Sequence, residues 1–256
     1  MADTEIAVAL VTGASSGIGR ATALKFGTQG YQVALVARTV SRLEAVAAVI
    51  RAGGVQAEVI TADVTRAEEI ERVVDRTMAA FGRIDVLVNA AGIISTGTID
   101  STTLDAWDTM MNVNVRAPFY LMQRAMPHLI RSQGSVVNVS SVTGLRAFPG
   151  ILAYCASKAA VDQLTRCAAL ELASQGVRVN AVNPGVVLTG LHRSGGMTEA
   201  AYSAFLEHSK TTHPLGRVGR PEEVAELIFF LASERAGWIT GATVSIDGGR
   251  GQTCAR

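Results

Sequence analysis

No run of about eighteen consecutive apolar residues occurs in the chain, so no transmembrane helix is expected. The opening MADTEIAVALVTG lacks a basic n-region and passes straight into an apolar strand, so no secretory signal is expected either. Cysteine is scarce. Cys155, Cys167 and Cys254 make an odd count with no close spacing. Cys155 and Cys167 fall about three turns apart in one expected helix, too far to bridge. A disulfide framework has no support, and a reducing, cytoplasmic compartment is expected. Only 4 histidines occur, and no Cys/His cluster has zinc spacing, so no metal site is expected. Charge of one sign is lacking as well. A net charge of +1 gives no reason to expect nucleic acid or an anionic membrane as partner.

What is present is alternation. Apolar, β-branched runs come at IAVALVT, QVALVA, AEVIT, IDVLVNA, SVVNVS, VRVNAVN and ATVSID. Stretches with helical apolar spacing lie between them, over 17–30, 41–53, 66–82, 104–132, 153–175 and 221–233. The strand runs are nearly continuous in apolar character, as strands covered on both faces should be. SRLE (41–44) and TRAE (65–68) read as capping boxes, and PEE (221–223) places proline and two acids in a first turn. Helices are expected to stop near Gly30, Gly53, Gly82 and Gly176. Strand–helix–strand repetition on this scale predicts α/β architecture with a mainly parallel sheet. No linker interrupts it, so the 256 residues read as one domain. Residues 186–213 break the rhythm with a Gly-Gly pair and one short amphipathic helix, and read as a lid over a strand's carboxyl end.

VTGASSGIGRA carries the first chemistry. A strand ends at Thr12, and Gly13, Gly17 and Gly19 open a helix. Gly13 permits the tight turn, Gly17 lets backbone N–H groups reach a phosphate, and Gly19 lets helix and strand pack closely. With the partial positive charge of a helix N-terminus, this predicts a pyrophosphate cradle, and no Walker lysine follows. The second strand ends in Ala37 and Arg38, where an acid would favour NAD by binding a ribose hydroxyl. A guanidinium there can grip a 2′-phosphate, so NADP(H) is favoured and NAD(H) is the alternative. Further on, AYCASKAA sets Tyr154 and Lys158 four apart on one helix face. An ammonium favours a neighbouring phenolate, so the pair is expected to form an acid tuned towards neutral pH.

The motifs TGASSGIG, ADV (62–64), NAAG (89–92), NVSS (138–141), YCASK (154–158) and NPG (183–185) follow the order of the short-chain dehydrogenases/reductases. The ending 214–249 resembles that family too, and the resemblance covers nearly the whole chain. It is closest in type to 3-oxoacyl-carrier-protein reductases and carbonyl reductases. It implies a Rossmann-type, doubly wound sheet of seven parallel strands in order 3-2-1-4-5-6-7. It implies hydride exchange between a nicotinamide cofactor and a small carbonyl or alcohol substrate. Tyr154 would be the general acid/base and Lys158 the clamp on the nicotinamide ribose. Ser141 would bond the substrate oxygen, with Ser140 as its neighbouring rival, and Asn114 would relay protons through water. Cofactor-binding positions would be Gly13, Ser15, Ser16, Gly17, Ile18, Gly19, Arg38, Asp63, Val64, Asn89, Ala90, Gly92, Pro184, Gly185, Val187 and Thr189, together with Tyr154 and Lys158. Leu145, Phe148 and Leu191 would join Ser141 and Tyr154 at the substrate, in a mostly apolar pocket. Similar proteins are commonly homotetramers.

The chain departs from the family pattern at Ala90, which replaces the commoner asparagine, and at Ser16, which is not basic. Ser132 and Gln175 stand where carrier-protein reductases tend to have arginine, which weighs against a carrier-protein substrate. His192, His208 and His213 are expected to face solvent. A non-catalytic dinucleotide-binding sensor is the alternative from another functional class.

Overall fold

The computed structural model describes residues 6–253, so Cys254 lies outside the described residues. Seven strands run β1 Val8–Thr12, β2 Gln32–Ala37, β3 Ala57–Thr61, β4 Val86–Asn89, β5 Ser135–Val139, β6 Arg178–Pro184 and β7 Thr243–Ile246. All neighbours pair in parallel, in the order β3-β2-β1-β4-β5-β6-β7. Helices follow as α1 Gly17–Thr28, α2 Val40–Ala52, α3 Ala67–Phe81, α4 Leu104–Met111, α5 Ala117–Ser132, α6 Val142–Leu145, α7 Leu152–Leu172, α8 Leu191–Ser194, α9 Glu199–Thr212 and α10 Pro221–Ala232.

Both faces of the sheet are buried, and the side-chain period of two sorts each strand between two cores. Val33 and Leu35 of β2 join Phe26 of α1, Leu43 of α2 and Ile228 of α10. Ala34 and Val36 of the same strand join Val73 of α3, Leu121 of α5 and Leu172 of α7. This is why the strand runs are apolar without alternation. Phe26 and Phe229 meet edge to face at 5.3 Å and lock α1 against α10. The carbonyl end of α10 is held by one side chain from β6. The Arg178 guanidinium donates to Leu231 O (2.6 Å), Ala232 O (3.0 Å), Ser233 O (3.0 Å) and Ala236 O (3.1 Å). A cation at a helix C-terminus satisfies orphan carbonyls and the macrodipole together.

Two helix starts differ from expectation. Helix α2 begins at Val40 after Thr39, so Ser41 lies inside it and caps nothing. Helix α3 begins after Arg66, and Thr65 instead donates to Asp63 Oδ1 through its N–H (2.9 Å) and its hydroxyl (2.8 Å). That turn consumes the hydroxyl that a capping box needs. At α10 the reading holds: Glu223 Oε2 accepts from Arg220 N at 2.8 Å. The stretch 104–132 is not one regular helix, because a π-helical turn over Asn112–Arg116 joins α4 to α5. The segment 186–213 carries two helices, α8 and α9, rather than one.

Candidate active site

Strand order reverses between β1 and β4, so the loops after them part and leave a crevice at the strands' carboxyl ends. The glycine loop stands on one side. Gly13 takes φ +67°, and a Cβ there would lie 2.8 Å from Ala90 O. A Cβ on Gly19 would overlap the Gly13 carbonyl, which is why α1 starts so near β1. Across the crevice, Thr12 Oγ1 accepts from Ala90 N (3.1 Å) and Ala91 N (3.2 Å). That hydroxyl fixes the NAAG loop where the missing asparagine amide cannot. Asn89 donates to Asn138 Oδ1 at 2.8 Å, inside the sheet, and its own Oδ1 is a buried oxygen without a hydrogen-bond partner.

These residues fit a dinucleotide. Ser16, the residue before α1, makes no side-chain cap, so the first-turn N–H groups are left to an outside acceptor such as phosphate. Ser15 and Ser16 lie in this turn, and Ile18 packs inward against the first core. A Cβ on Gly92 would stand 3.3 Å from Asn114 Oδ1 and 3.7 Å from Lys158 Nζ, so glycine keeps the crevice open beside the lysine. Arg38 is exposed at the end of β2, and its charge contributes to holding Asp63 below the usual carboxylate range, after the Thr65 N–H. Val187 is buried in the first core, and Val64 packs half-buried against the second. Thr189 O accepts from the buried Tyr202 hydroxyl of α9 at 3.0 Å, tying the loop after Pro184 and Gly185 to the lid.

The four chemical side chains converge on one rim. Tyr154 and Lys158 stand on the first turns of α7, and Ser141 caps α6 through its Oγ accepting from Thr143 N at 3.1 Å. Ser140 differs: its hydroxyl donates to Lys158 O at 3.2 Å and so braces α7. Asn114 sits on the π-helical turn. Its Oδ1 accepts from Ile93 N (2.9 Å), and its Nδ2 donates to Ile93 O (3.0 Å) and Ser157 Oγ (3.0 Å). π-turns recur at functional sites, and spacing alone gives no sign of this one.

One expectation is corrected here. Tyr154 is only 6% exposed, and burial pushes its phenol up to about 12, against the lowering effect of Ser141. The Lys158 ammonium donates to Val139 O at 2.8 Å and stands 5.6 Å from the centre of the tyrosine ring. Burial draws that amine down to about 8, opposed by Asp162. Loss of water thus dominates at the phenol, and it stays protonated across the neutral range.

The apolar wall around Tyr154 is Met110, Trp107, Ile93, Ile94 and Ile151, of which sequence reading missed the first four because they come from two other segments. Leu145 is exposed and Leu191 of the lid half-buried, and the Phe148 ring centre lies 6.0 Å from the Arg146 guanidinium and 5.0 Å from that of Arg250. His208 is exposed, but His213 is 2% exposed and His192 packs on Phe205 at 4.7 Å. His213 Nδ1 donates to Ser209 O (2.7 Å) and Nε2 accepts from Val186 N (3.1 Å), a pairing that requires neutral imidazole. Burial holds its pKa below the ordinary value, helped by Arg250 and opposed by the Ser209 bond and Asp247. The folded state therefore loses stability as pH falls below about 6.5 and the imidazole charges. In His213→Gln the stability change between pH 7.5 and 5.5, read by urea unfolding, is expected to be smaller than in the unaltered protein. An equal pH slope in the two proteins would assign the effect to His128 or His192, which burial also lowers.

A doubly wound parallel sheet, a glycine turn at its switch point and a Ser/Tyr/Lys rim define a nicotinamide-dependent oxidoreductase. The family described as enoyl-(acyl carrier protein) reductase matches residues 13–250. The 3-oxoacyl-[acyl-carrier-protein] reductase FabG of Thermotoga maritima is 41% identical over 245 residues, covering 94% of this chain and 96% of that protein. The 2,5-dichloro-2,5-cyclohexadiene-1,4-diol dehydrogenase LinX of Sphingobium indicum is 37% identical over 243 residues, covering 94% and 95%. A Caenorhabditis elegans short-chain dehydrogenase/reductase of unknown function, solved with cofactor, superimposes with TM-score 0.92 at 37% identity over 96% of each chain. The chain belongs to the short-chain dehydrogenase/reductase family and is an oxidoreductase.

Proposed function

We propose that the protein is an NADP(H)-favouring carbonyl reductase with Tyr154 as the proton donor. The observation that carries this is the convergence of a buried Tyr154 with Ser141, Lys158 and Asn114 at one end of the sheet. The bound cofactor supplies hydride to the substrate carbon. Ser141 Oγ donates a hydrogen bond to the oxygen that gains charge, and Tyr154 passes its phenolic proton to it. Lys158, still largely an ammonium at pH 7, offsets the resulting phenolate and holds the nicotinamide ribose. Trp107, Ile93, Ile94, Leu145, Phe148 and Leu191 give an apolar pocket, which suits an aliphatic or aromatic carbonyl. Gln175 is exposed and the Ser132 hydroxyl is turned onto Ile84 O, so neither position offers a cation to a carrier protein. The protein works as a homotetramer in a cytoplasmic compartment, residues 1–256 forming one domain with 186–213 as its lid. Exposed Leu104, Phe119 and Leu170 on α4, α5 and α7 support helix pairing between subunits.

Titration of NADPH and NADH, with Arg38→Asp alongside, tests the cofactor reading. NADPH is expected to bind at least about tenfold tighter, a gap of about 1.4 kcal/mol, and the variant to reverse the order. Tighter NADH binding would favour the second reading, an NAD-linked alcohol dehydrogenase, to which the LinX likeness lends support. Binding of neither would remove both enzymatic readings. Binding without turnover of any carbonyl or alcohol would leave a sensor.

A further inference from the structure

The proposed chemistry makes no use of a carboxylate at its centre. Asp162 is 1% exposed and stands one turn after Lys158 on α7. Asn183 Nδ2, from β6, lies 3.1 and 2.9 Å from its two oxygens and also donates to Ser141 O at 2.9 Å. All three neighbours are acceptors, so the amide must present its nitrogen here. Ser140 Oγ is a further polar neighbour of this carboxylate, and its hydroxyl donates to Lys158 O at 3.2 Å. Helix α6 lies directly on it, since a Cβ on Gly144 would overlap Asp162 Oδ2.

An uncharged side chain would serve as an anchor at this point. A buried charge costs desolvation that packing alone does not require. Lys158 is the nearby buried cation, Arg166 of the same helix is a second positive neighbour, and Tyr154 is the other ionisable group on this face.

We infer that Asp162 is a positioning residue of the site: its negative charge keeps the Lys158 ammonium protonated, and through Asn183 it holds the Ser141 backbone at the substrate oxygen. What Ser141 and Lys158 do there rests on the reduction reading; the charge coupling does not. Burial pushes the Asp162 carboxyl up, opposed by the Asn183 amide and by the Arg166 and Lys158 charges, and its own charge opposes the burial of Lys158.

The chain has only the lysines Lys25, Lys158 and Lys210, so isotope-labelled lysine Cε gives three resonances to titrate by NMR. In Asp162→Asn the Lys158 midpoint is expected to fall by roughly one pH unit, with Lys25 and Lys210 unmoved. Asp162→Thr keeps an acceptor for Asn183 and should show the same fall if the amide variant does not fold. A Lys158 midpoint unchanged in a folded variant overturns the inference. In steady-state carbonyl reduction, the pH limb of kcat should move by the same amount as the NMR midpoint. A lowered Tm with that limb in place marks a structural anchor and overturns the inference. If the unaltered protein reduces no carbonyl while the Lys158 midpoint still moves, the coupling stands and the reduction reading falls.

Discussion

Tyr154→Phe is expected to lower kcat for carbonyl reduction by roughly a thousandfold, within the range that removal of a general acid produces. Folding should survive, because the ring packs on Met110, Ala153 and Trp107 and the substitution deletes one oxygen from that wall. NADPH affinity should change little, since the glycine loop, Arg38 and Lys158 are untouched. The loss should appear in single-turnover measurements as well, which separates proton transfer from product release. A variant that keeps a tenth of the activity would place the proton donor elsewhere. Because burial sets the phenol up to about 12 and the amine near 8, reduction should be level through neutral pH. It should then fall as Lys158 loses its charge above about pH 8, the direction that a cation offsetting a phenolate requires.

Arg178→Met is expected to cost about 3 kcal/mol in urea unfolding, from several charge-assisted hydrogen bonds at a buried helix end. For a domain of this size that is roughly 6–12 °C in Tm. The carbonyls of Leu231, Ala232, Ser233 and Ala236 would lose their shared donor, and methionine brings none. The effect reaches the cofactor crevice through packing, since α10 holds α1 through Phe229 and Phe26. NADPH affinity should therefore weaken while kcat at saturation stays. A Tm within about 2 °C of the unaltered protein would show that water replaces the guanidinium without penalty.

The sheet was legible because its strands, buried on both faces, leave unbroken apolar runs such as QVALVA. The glycine turn was legible because steric overlap at Gly13 and Gly19 admits no other residue. Cap positions were less so, since Thr65 bonds Asp63 and not its own helix. His213 was expected to face solvent because its two shorter bonds are to backbone groups, Ser209 O and Val186 N, which leave no side-chain signature. The Tyr154–Lys158 spacing was read correctly as a shared face. Its electrostatics were not, because spacing carries the neighbouring charge and says nothing of the water removed. Asp162 was passed over for another reason: its partner Asn183 lies on β6, 21 residues further on in the sequence.

The π-helical turn also sets a phase. In the buried stripe Leu129 lies 19 positions after Met110, whereas five regular turns advance about eighteen. The surplus residue is housed within Asn112–Arg116, next to the amide that grips Ile93. Winding the same residues as a uniform α-helix would swing everything beyond them by about 100°. Leu121 and Leu129 would then leave the core, or Asn114 would leave the crevice. The irregularity is thus a keyway: two halves of one rod, cut out of step, that engage sheet and site together in a single angular setting.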